Sequence, residues 1–212
     1  MPNQYPPLLS LAVHEFRTPA SVVGGYLRML QSDQDPPMSE RQQRMIDQAA
    51  QSCERLVAIV AELSEIAKLD SGDLALAQQP LDFFALIEDV AGQVQEGRDR
   101  GVQLTLAGPS SGAPITGDEA RLRTAVDAVL RAILREQPGP AVIVAERRLE
   151  TRDGRAYAVL VIADEGQTQI AYDGDGAFDD MRGGLGLALP LARRVIEGHG
   201  AHLGSAVIAF PL

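Results

Sequence analysis

The sequence contains little that points to an oxidising compartment, a membrane or a nucleic acid. One cysteine, Cys53, stands among 212 residues, so no disulfide can form within the chain and a reducing compartment is favoured. The longest obvious apolar run, Ala156 to Ala163, is far shorter than the ~18 residues that a membrane-spanning helix needs. The start, Met1 to Pro7, has neither the basic residues nor the apolar core of a secretory signal. These absences predict a cytoplasmic segment without membrane contact.

Aromatic residues are scarce as well, and basic residues are outnumbered by acidic ones. Aromatics make up 4% of the chain, with no tryptophan, and the net charge is −10. Such a charge argues against binding to nucleic acid or to an anionic membrane surface. Apolar residues nevertheless reach 45%, which is enough for a chain of this length to bury a core in one large domain or two small ones.

Residues 1–70 carry the spacing of two long helices joined by a loop. Apolar residues of the first helix alternate in steps of four and three, a heptad seam of Leu9, Val13, Phe16, Ala20, Val23, Leu27 and Leu30. A loop is predicted from Gln31 to Met38, and Ser39 with Gln42 has the pattern of a capping box. The second helix has two apolar rows: Met45, Ala49, Ser52, Leu56, Ile59, Leu63 and Ile66, and beside them Ile46, Ala50, Cys53, Val57 and Val60.

One hairpin covers only part of these apolar rows, and two arrangements would cover the rest. The first is a symmetric homodimer, in which two hairpins form a four-helix bundle. The second is a monomer whose remaining row packs against the downstream domain. In either arrangement Cys53 lies in an apolar stripe, which favours a small buried side chain over a reactive thiol.

The run from Asp70 to Asp73 ends the helical pattern, and residues 73–212 read as an α+β sandwich of helices on a mixed sheet. The expected strands are Leu74–Ala77, Val102–Leu106, Ala141–Leu149, Ala156–Ala163 and Val207–Phe210. The expected helices are Leu81–Gln95, Asp118–Glu136 and Gly186–His199. Between the third and fourth strands, Asp153-Gly154 is a strong hairpin signal.

A reactive group of side chains lies in the first helix, in the hexapeptide His-Glu-Phe-Arg-Thr-Pro at residues 14–19. Because Val13 and the phenylalanine belong to the apolar seam, His14 is expected on the outward face. Thr18, one turn further, shares that face. A neutral imidazole offers a nucleophilic nitrogen, and Glu15 is the local carboxylate that can take the proton from the other nitrogen. The alternative is an ordinary surface histidine on a helix that happens to contain a proline.

The hexapeptide resembles the H-box of two-component sensor histidine kinases, and the likeness continues over essentially the whole chain. In that family a dimeric helical hairpin carries the phospho-accepting histidine, and a following domain, of the kind shared with gyrase and the Hsp90 chaperones, binds ATP and Mg. The resemblance implies His14 as phosphoacceptor, Glu15 as proton acceptor and Thr18 as part of a phosphatase motif. It also implies a homodimer, and a response regulator receiver domain whose aspartate receives the phosphoryl group.

The first ATP-site motif of the family falls on the predicted helix that starts near Asp118. Counted along the family's motif, Ala128 and Ala132 fall where the family has asparagines, and Arg135 falls at the basic position that reaches phosphate. Alanine cannot coordinate Mg²⁺, which demands oxygen ligands.

Two glycine motifs follow in the order that the family has. The run from Asp164 to Thr168 is similar to an Asp-x-Gly-x-Gly box, with Thr168 in place of the second glycine. The resemblance implies that Asp164 accepts the adenine amino group and that Gly166 lets the backbone come close. Backbone amides near Gly184, Leu185 and Gly186 match the second glycine box and would hold phosphate at a helix start. Arg182 replaces the first glycine there, and the short interval between the boxes leaves room for a stunted lid.

Three functions follow from these patterns. The chain is a histidine kinase core that phosphorylates His14 from ATP, or a histidine phosphotransferase or phosphatase supplied by a partner, or a dimeric scaffold without activity. The first is preferred because Asp164, Arg135 and the second glycine box are present. No metal site of the chain's own is predicted, since a glycine after a helix end explains the spacing of His199 and His202 better than ligation does.

Overall fold

The computed structural model describes the backbone of residues 5–32 and 37–212, and between 5 and 16 only the side chains of Val13 and Phe16. The chain divides into two compact units, residues 1–74 and residues 75–212. Among the described ranges, no helix is both long enough and apolar enough to cross a membrane.

The first unit is a hairpin of α1 (Tyr5–Ser32) and α2 (Glu40–Ser71). The predicted capping box is present, because the Ser39 hydroxyl accepts from the Gln42 N–H at 3.4 Å while the Gln42 side chain accepts from the Ser39 N–H at 2.9 Å. Helix α2 ends at Gly72, whose φ of 76° is the left-handed conformation that glycine adopts without strain. Of the predicted loop, Gln31 and Ser32 are still helical, and residues 33–36 lie outside the described residues.

The apolar seam of α1 consists of one set of side chains that is covered in the hairpin and another set that is exposed. Its described members Val13, Ala20 and Leu27, seven apart, are covered or partly covered, whereas the alternate set is exposed by 50–64%: Phe16, Val23 and Leu30. On α2, Cys53 is buried and its thiol donates to the Ala20 carbonyl at 3.1 Å, which confirms it as a buried side chain. Met45 and Leu56, of the other row of α2, are exposed by about 60%. One apolar row per helix therefore closes the hairpin, and a second remains open on this unit.

The second unit is the expected α+β sandwich. Its elements are β1 (Gln79–Asp82), α3 (Phe83–Gln93), β2 (Val102–Ala107), β3 (Pro114–Gly117), α4 (Glu119–Glu136), β4 (Ala141–Arg152), β5 (Arg155–Asp164), α5 (Thr168–Asp173), α6 (Ala188–Gly198), β6 (His202–Leu203) and β7 (Val207–Pro211). The main sheet has the order β2-β4-β5-β7-β6, with β2 parallel to β4 and the other pairs antiparallel. Strands β1 and β3 form a separate antiparallel pair.

Two local predictions are wrong, each for a physical reason. Residues 74–77 are not a strand, because the Ala77 N–H donates to the Asp118 carboxylate at 3.2 Å instead of joining a ladder. Helix α3 starts two residues later than expected, because the Asp82 carboxylate caps it by accepting from the N–H groups of Phe84 and Ala85. Helix α5 was not among the expected elements, because six residues are too few to show a helical period in the sequence.

The two faces of the main sheet are covered differently. Helices α3, α4 and α6 bury one face around side chains such as Phe83 and Phe210, whose ring centroids are 4.5 Å apart. On the other face, the buried cluster Val159, Val161, Val207 and Ala209 is covered by Ala171 and Tyr172 of α5, by Tyr157 and by Ala206. The Asp153-Gly154 turn between β4 and β5 is confirmed, with φ of 50° and 77° in a two-residue loop.

Candidate active site

The first candidate site lies on α1, which runs without interruption through residues 14–19. The side chains of His14 and Glu15 lie outside the described residues, so their outward orientation stays a prediction. Thr18 and Pro19 are exposed. Because proline has no N–H to donate, Pro19 leaves the backbone carbonyl of Glu15 without its usual helical partner.

A cleft of about 550 Å³ lies in the second unit, between the end of α4, the ends of β4 and β5, and the segment that follows β5. Its apolar wall includes the buried side chains of Ile133, Ile143 and Ile162. Its polar rim consists of Glu136, Gln137, Asp164, Gln167, Asp179, Arg182 and Ser205. Asp164 stands at the last position of β5 with its side chain exposed, so its carboxylate is available to a ligand.

The second glycine box packs directly on α4. Arg182–Gly184 is a short 3-10 turn, and a Cβ added at Gly183 would lie 2.7 Å from the carbonyl oxygen of Ala132. Ala128 and Ala132 are both buried, exposed by 6% and 1%. Position 183 therefore admits only a glycine, because any side chain there would meet the backbone of Ala132. Gly184 and Gly186 have positive φ and open space where a Cβ would be, as has Gly166 in the first box.

The side chain of Arg182 lies at the rim of the cleft and binds two partners there, contacts that the sequence did not predict. Its Nε lies 2.6 Å from a carboxylate oxygen of Glu136, at the end of α4. Its guanidinium also donates to the backbone carbonyl of Ser205, in the turn before β7. The side chains of Arg182 and Glu136 are exposed by 23% and 37%, so the ion pair is partly open to water.

Arg135 does not face this cleft, contrary to the expectation that it lies with Asp164 and the glycine box. Its Nε is 3.5 Å from the carboxylate of Glu96, and the same carboxylate is approached by Arg131 and Arg100. These residues line a different cavity, next to the chain segment that follows α3. The reason is electrostatic, because Glu96, whose side chain is exposed by only 13%, is a countercharge that all three arginines share.

The start of α4 is held by two side chains, Asp118 and His199. Burial raises the pKa of the Asp118 carboxyl, but hydrogen bonds from the Arg121 side chain and backbone and from the Ala77 N–H outweigh it, so the pKa lies below its usual range. His199 Nε2 accepts from the Asp118 N–H at 2.9 Å, and Nδ1 lies 2.6 Å from the Val195 carbonyl, which makes Nδ1 the protonated nitrogen.

His199 thus uses both ring nitrogens within the fold, and His202 Nε2 lies 3.2 Å from Asp175. Within the described ranges, no group of three or more histidine, cysteine, aspartate or glutamate side chains is placed to hold a metal ion.

Residues 8–72 match the His Kinase A (phospho-acceptor) domain family. Over almost the whole chain the sequence is similar to sensor kinases. The probable sensor histidine kinase TcrY of Mycobacterium tuberculosis is 32% identical over 199 residues, covering 89% of this chain and 40% of that protein. The sensor protein kinase PmrB of Pseudomonas aeruginosa is 27% identical over 207 residues, covering 93% of this chain and 41% of that protein. The chain spans about two fifths of the length of these relatives.

Two solved structures share the fold. Full-length ShkA in complex with AMPPNP has a TM-score of 0.68 at 21% identity, over 97% of this chain and 44% of that one. The histidine kinase AdeS of Acinetobacter baumannii has a TM-score of 0.54 at 17% identity, over 94% of this chain and 96% of that one. At such identities the likeness concerns the fold alone. The phospho-acceptor domain match over residues 8–72 and the similarity to sensor histidine kinases over about nine tenths of the chain support a two-component histidine kinase catalytic core.

Proposed function

We propose that the chain is a histidine kinase core in which His14 takes a phosphoryl group from ATP and passes it to an aspartate of a response regulator. The observation that carries the proposal is the match of residues 8–72 to a phospho-acceptor domain, with the reactive hexapeptide inside α1. In this proposal residues 1–70 dimerise and transfer phosphate, and residues 73–212 form the nucleotide-binding domain.

The residues around His14 have complementary roles in the proposed reaction. The attacking imidazole nitrogen must be unprotonated, and Glu15 takes the proton from the other nitrogen as positive charge develops on the ring. Thr18 is exposed, which suits a hydroxyl that orients a water molecule in the reverse, phosphatase reaction. The carbonyl freed by Pro19 makes the helix easier to deform beside the phosphoacceptor.

The open apolar rows support the proposed homodimer. Phe16, Val23, Leu30, Met45 and Leu56 are exposed by 50–64%, which is unusual for large apolar side chains on a water-facing helix pair. A second copy of the hairpin would cover them and leave the outward face of α1 accessible to a receiver domain.

The second unit fits the two halves of a magnesium-nucleotide unequally. The cleft with its isoleucine wall and Asp164 suits an adenine ring. The metal half does not fit, because Ala128 and Ala132 offer no oxygen ligand and Gly183 lies against Ala132. No step of the reaction is therefore assigned to a metal ion.

That misfit favours a second candidate function. The chain would then be a histidine phosphotransferase or phosphatase that keeps His14, Glu15 and Thr18 and receives its phosphate from a partner protein. The two candidates share the phosphoacceptor and differ in the donor.

A labelling experiment with two donors separates them. The full chain is incubated with γ-labelled ATP and Mg²⁺, or with a phosphorylated receiver domain, and acid-labile, alkali-stable label is measured. Kinase function predicts label from ATP that disappears in His14→Ala and persists in the control His202→Ala, a histidine on the surface of the other unit.

Label from the receiver domain alone would instead establish the phosphotransferase. Absence of label from both donors would contradict the kinase and the phosphotransferase and leave a phosphatase or a scaffold.

A further inference from the structure

We propose that the cleft in the second unit takes an adenine nucleotide without a divalent metal ion, and that Arg182 leaves Glu136 to neutralise the nucleotide phosphates. This inference rests on the proposed function, since it concerns the same nucleotide site, and it specifies how that site is occupied. It is carried by four features of the cleft: its apolar wall, the lack of metal ligands on α4, the position of Arg182 at the rim and the charge of Glu136.

The apolar part of the cleft has the dimensions and chemistry of a purine site. Its volume of about 550 Å³ lies in the usual range for small-molecule pockets. Ile133, Ile143 and Ile162 present buried aliphatic surface to a flat ring, and Asp164 at the rim is an exposed acceptor for an exocyclic amino group. None of these contacts involves a phosphate or a metal.

Helix α4 offers no oxygen ligand at the two positions where the resemblance expects asparagines, Ala128 and Ala132. Ala128 and Ala132 are buried methyl side chains, and the Gly183 backbone is packed on Ala132 so closely that a Cβ would clash. The acids at the rim do not substitute for the missing ligands, because no cluster suited to a metal occurs in the described ranges. Mg²⁺ needs several oxygen ligands in near-octahedral geometry, so the protein supplies no first coordination sphere.

Arg182 is the cation at the open end of the cleft. It lies at the rim, one residue before the glycine that contacts α4, and its present partners are one carboxylate and one backbone carbonyl. A partly exposed ion pair such as that with Glu136 contributes little stability, whereas an arginine binds phosphate through two parallel, charge-assisted hydrogen bonds. Exchange of Glu136 for a phosphate group is therefore favourable for Arg182.

Glu136 opposes binding as long as it stays ionised beside the phosphates. Its carboxylate lines the same cleft as Arg182, and it both competes for the guanidinium and repels the nucleotide. The two residues should thus have opposite effects on nucleotide affinity, and neither should affect a ligand that has no phosphate. A simple loss of folding cannot produce this pattern.

Calorimetric titration of the full chain with ADP and adenosine, in EDTA and in excess Mg²⁺, tests the proposal. We expect ADP to bind in EDTA, with an affinity that Mg²⁺ does not increase. Arg182→Gln should weaken ADP about tenfold or more, as the loss of a charge-assisted pair implies. Glu136→Gln should tighten ADP about two- to fivefold. Neither change should alter the affinity for adenosine.

Arg131→Gln is the matched control, because Arg131 is ion-paired like Arg182 and lies on α4 like Glu136, but lines the other cavity. It should leave both affinities unchanged, and thermal unfolding of all three variants checks that they fold. The proposal is overturned if ADP binds only with Mg²⁺, if ADP does not bind at all, or if Arg182→Gln binds ADP as tightly as the parent chain.

These outcomes are distinct from those of the labelling experiment. Metal-independent ADP binding without ATP-dependent label on His14 would support this inference and contradict the kinase function. Strictly Mg²⁺-dependent ADP binding together with label on His14 would contradict this inference and support the kinase function.

Discussion

Asp82 and Asp118 fix the helix starts and the loops of the α+β unit through hydrogen bonds to their ionised carboxylates. Asp82 accepts from the N–H groups of Phe84 and Ala85 at the start of α3 and from those of Gly112 and Ala113 in the loop before β3. Burial raises the pKa of Asp82, but these four donors outweigh it, so the pKa lies below its usual range. The Asp118 carboxylate likewise accepts hydrogen bonds at the start of α4, and they lower its pKa in the same way.

A folded-state pKa below the unfolded value stabilises the fold above the unfolded pKa, and this stabilisation is lost as the pH falls through the lowered folded value. Asp82→Asn and Asp118→Asn should each lower the free energy of unfolding by about 1–3 kcal/mol at pH 7. The difference from the parent chain should shrink below about pH 4, where the unfolded carboxyls protonate.

Urea unfolding at pH 7 and pH 3, followed by circular dichroism, measures this difference. Asp99→Asn is the control, because the Asp99 side chain is 80% exposed and its replacement should change stability by less than about 0.5 kcal/mol. Equal destabilisation by Asp82→Asn at both pH values would contradict the assignment of its effect to the ionised form.

At the scale of single elements, α4 shows why the nucleotide site departs from the resemblance. The helix keeps its cap and its buried stripe, but Ala128 and Ala132, at the two positions where the resemblance expects asparagines, are buried methyl side chains. Ala132→Asn should destabilise the unit by about 1–3 kcal/mol, because a larger polar side chain would have to be accommodated at a position that is exposed by only 1%.

Thermal unfolding of Ala132→Asn checks this, with Ala120→Asn as the control on the exposed first turn of α4. The control should show only the propensity difference between the two residues, about 0.7 kcal/mol or less. An unchanged melting temperature in Ala132→Asn would mean that position 132 has room for a larger polar side chain, contrary to its burial.

Helix α5 lies in the segment between the two glycine boxes and packs on the face of the main sheet that carries Val159 and Val161. The Tyr172 hydroxyl donates to Glu150, and the Arg148 guanidinium lies 4.0 Å from the centre of the Tyr172 ring. Tyr172→Ala should lower the free energy of unfolding by about 2–4 kcal/mol, since it uncovers Val159 and Val161.

The variant Tyr172→Phe keeps the ring and loses only the hydroxyl, so about 1 kcal/mol is expected in the same denaturant measurement. If both variants were equally unstable, the hydrogen bond to Glu150 rather than the packing would hold α5.

Elements whose signals are local in sequence were predictable, and contacts between distant positions were not. The capping box at Ser39 and the turn at Asp153-Gly154 depend on neighbouring residues, and both are present. The pairing of Arg182 with Glu136 joins positions 46 residues apart, and the position of Arg135 depends on Glu96 from another element. A match to a motif gives the position of a residue along a helix. The direction of an arginine side chain depends instead on the countercharges around it, which come from distant parts of the chain.

At the scale of the whole molecule, the open apolar rows of the hairpin determine the expected assembly. Val23 and Leu56 lie on the two helices of the hairpin and are exposed by 52% and 57%. A glutamate at either position would have to be buried in a four-helix bundle without a partner. Val23→Glu and Leu56→Glu should therefore convert a dimer to a monomer in sedimentation velocity.

Gln51→Glu, at an exposed position outside both apolar rows of α2, is the control and should remain a dimer. A monomeric parent chain would contradict the bundle and favour packing of these rows against another part of the protein.

The phosphoacceptor claim needs a direct test that does not depend on the donor. Mass spectrometric mapping at alkaline pH, after incubation of the full chain with ATP and Mg²⁺ or with a phosphorylated receiver domain, locates a phosphoryl group on the peptide that carries it. We expect a single acid-labile phosphoryl group on His14, from at least one of the two donors, that is lost in His14→Ala. Phosphate on another residue, or none from either donor, would contradict it.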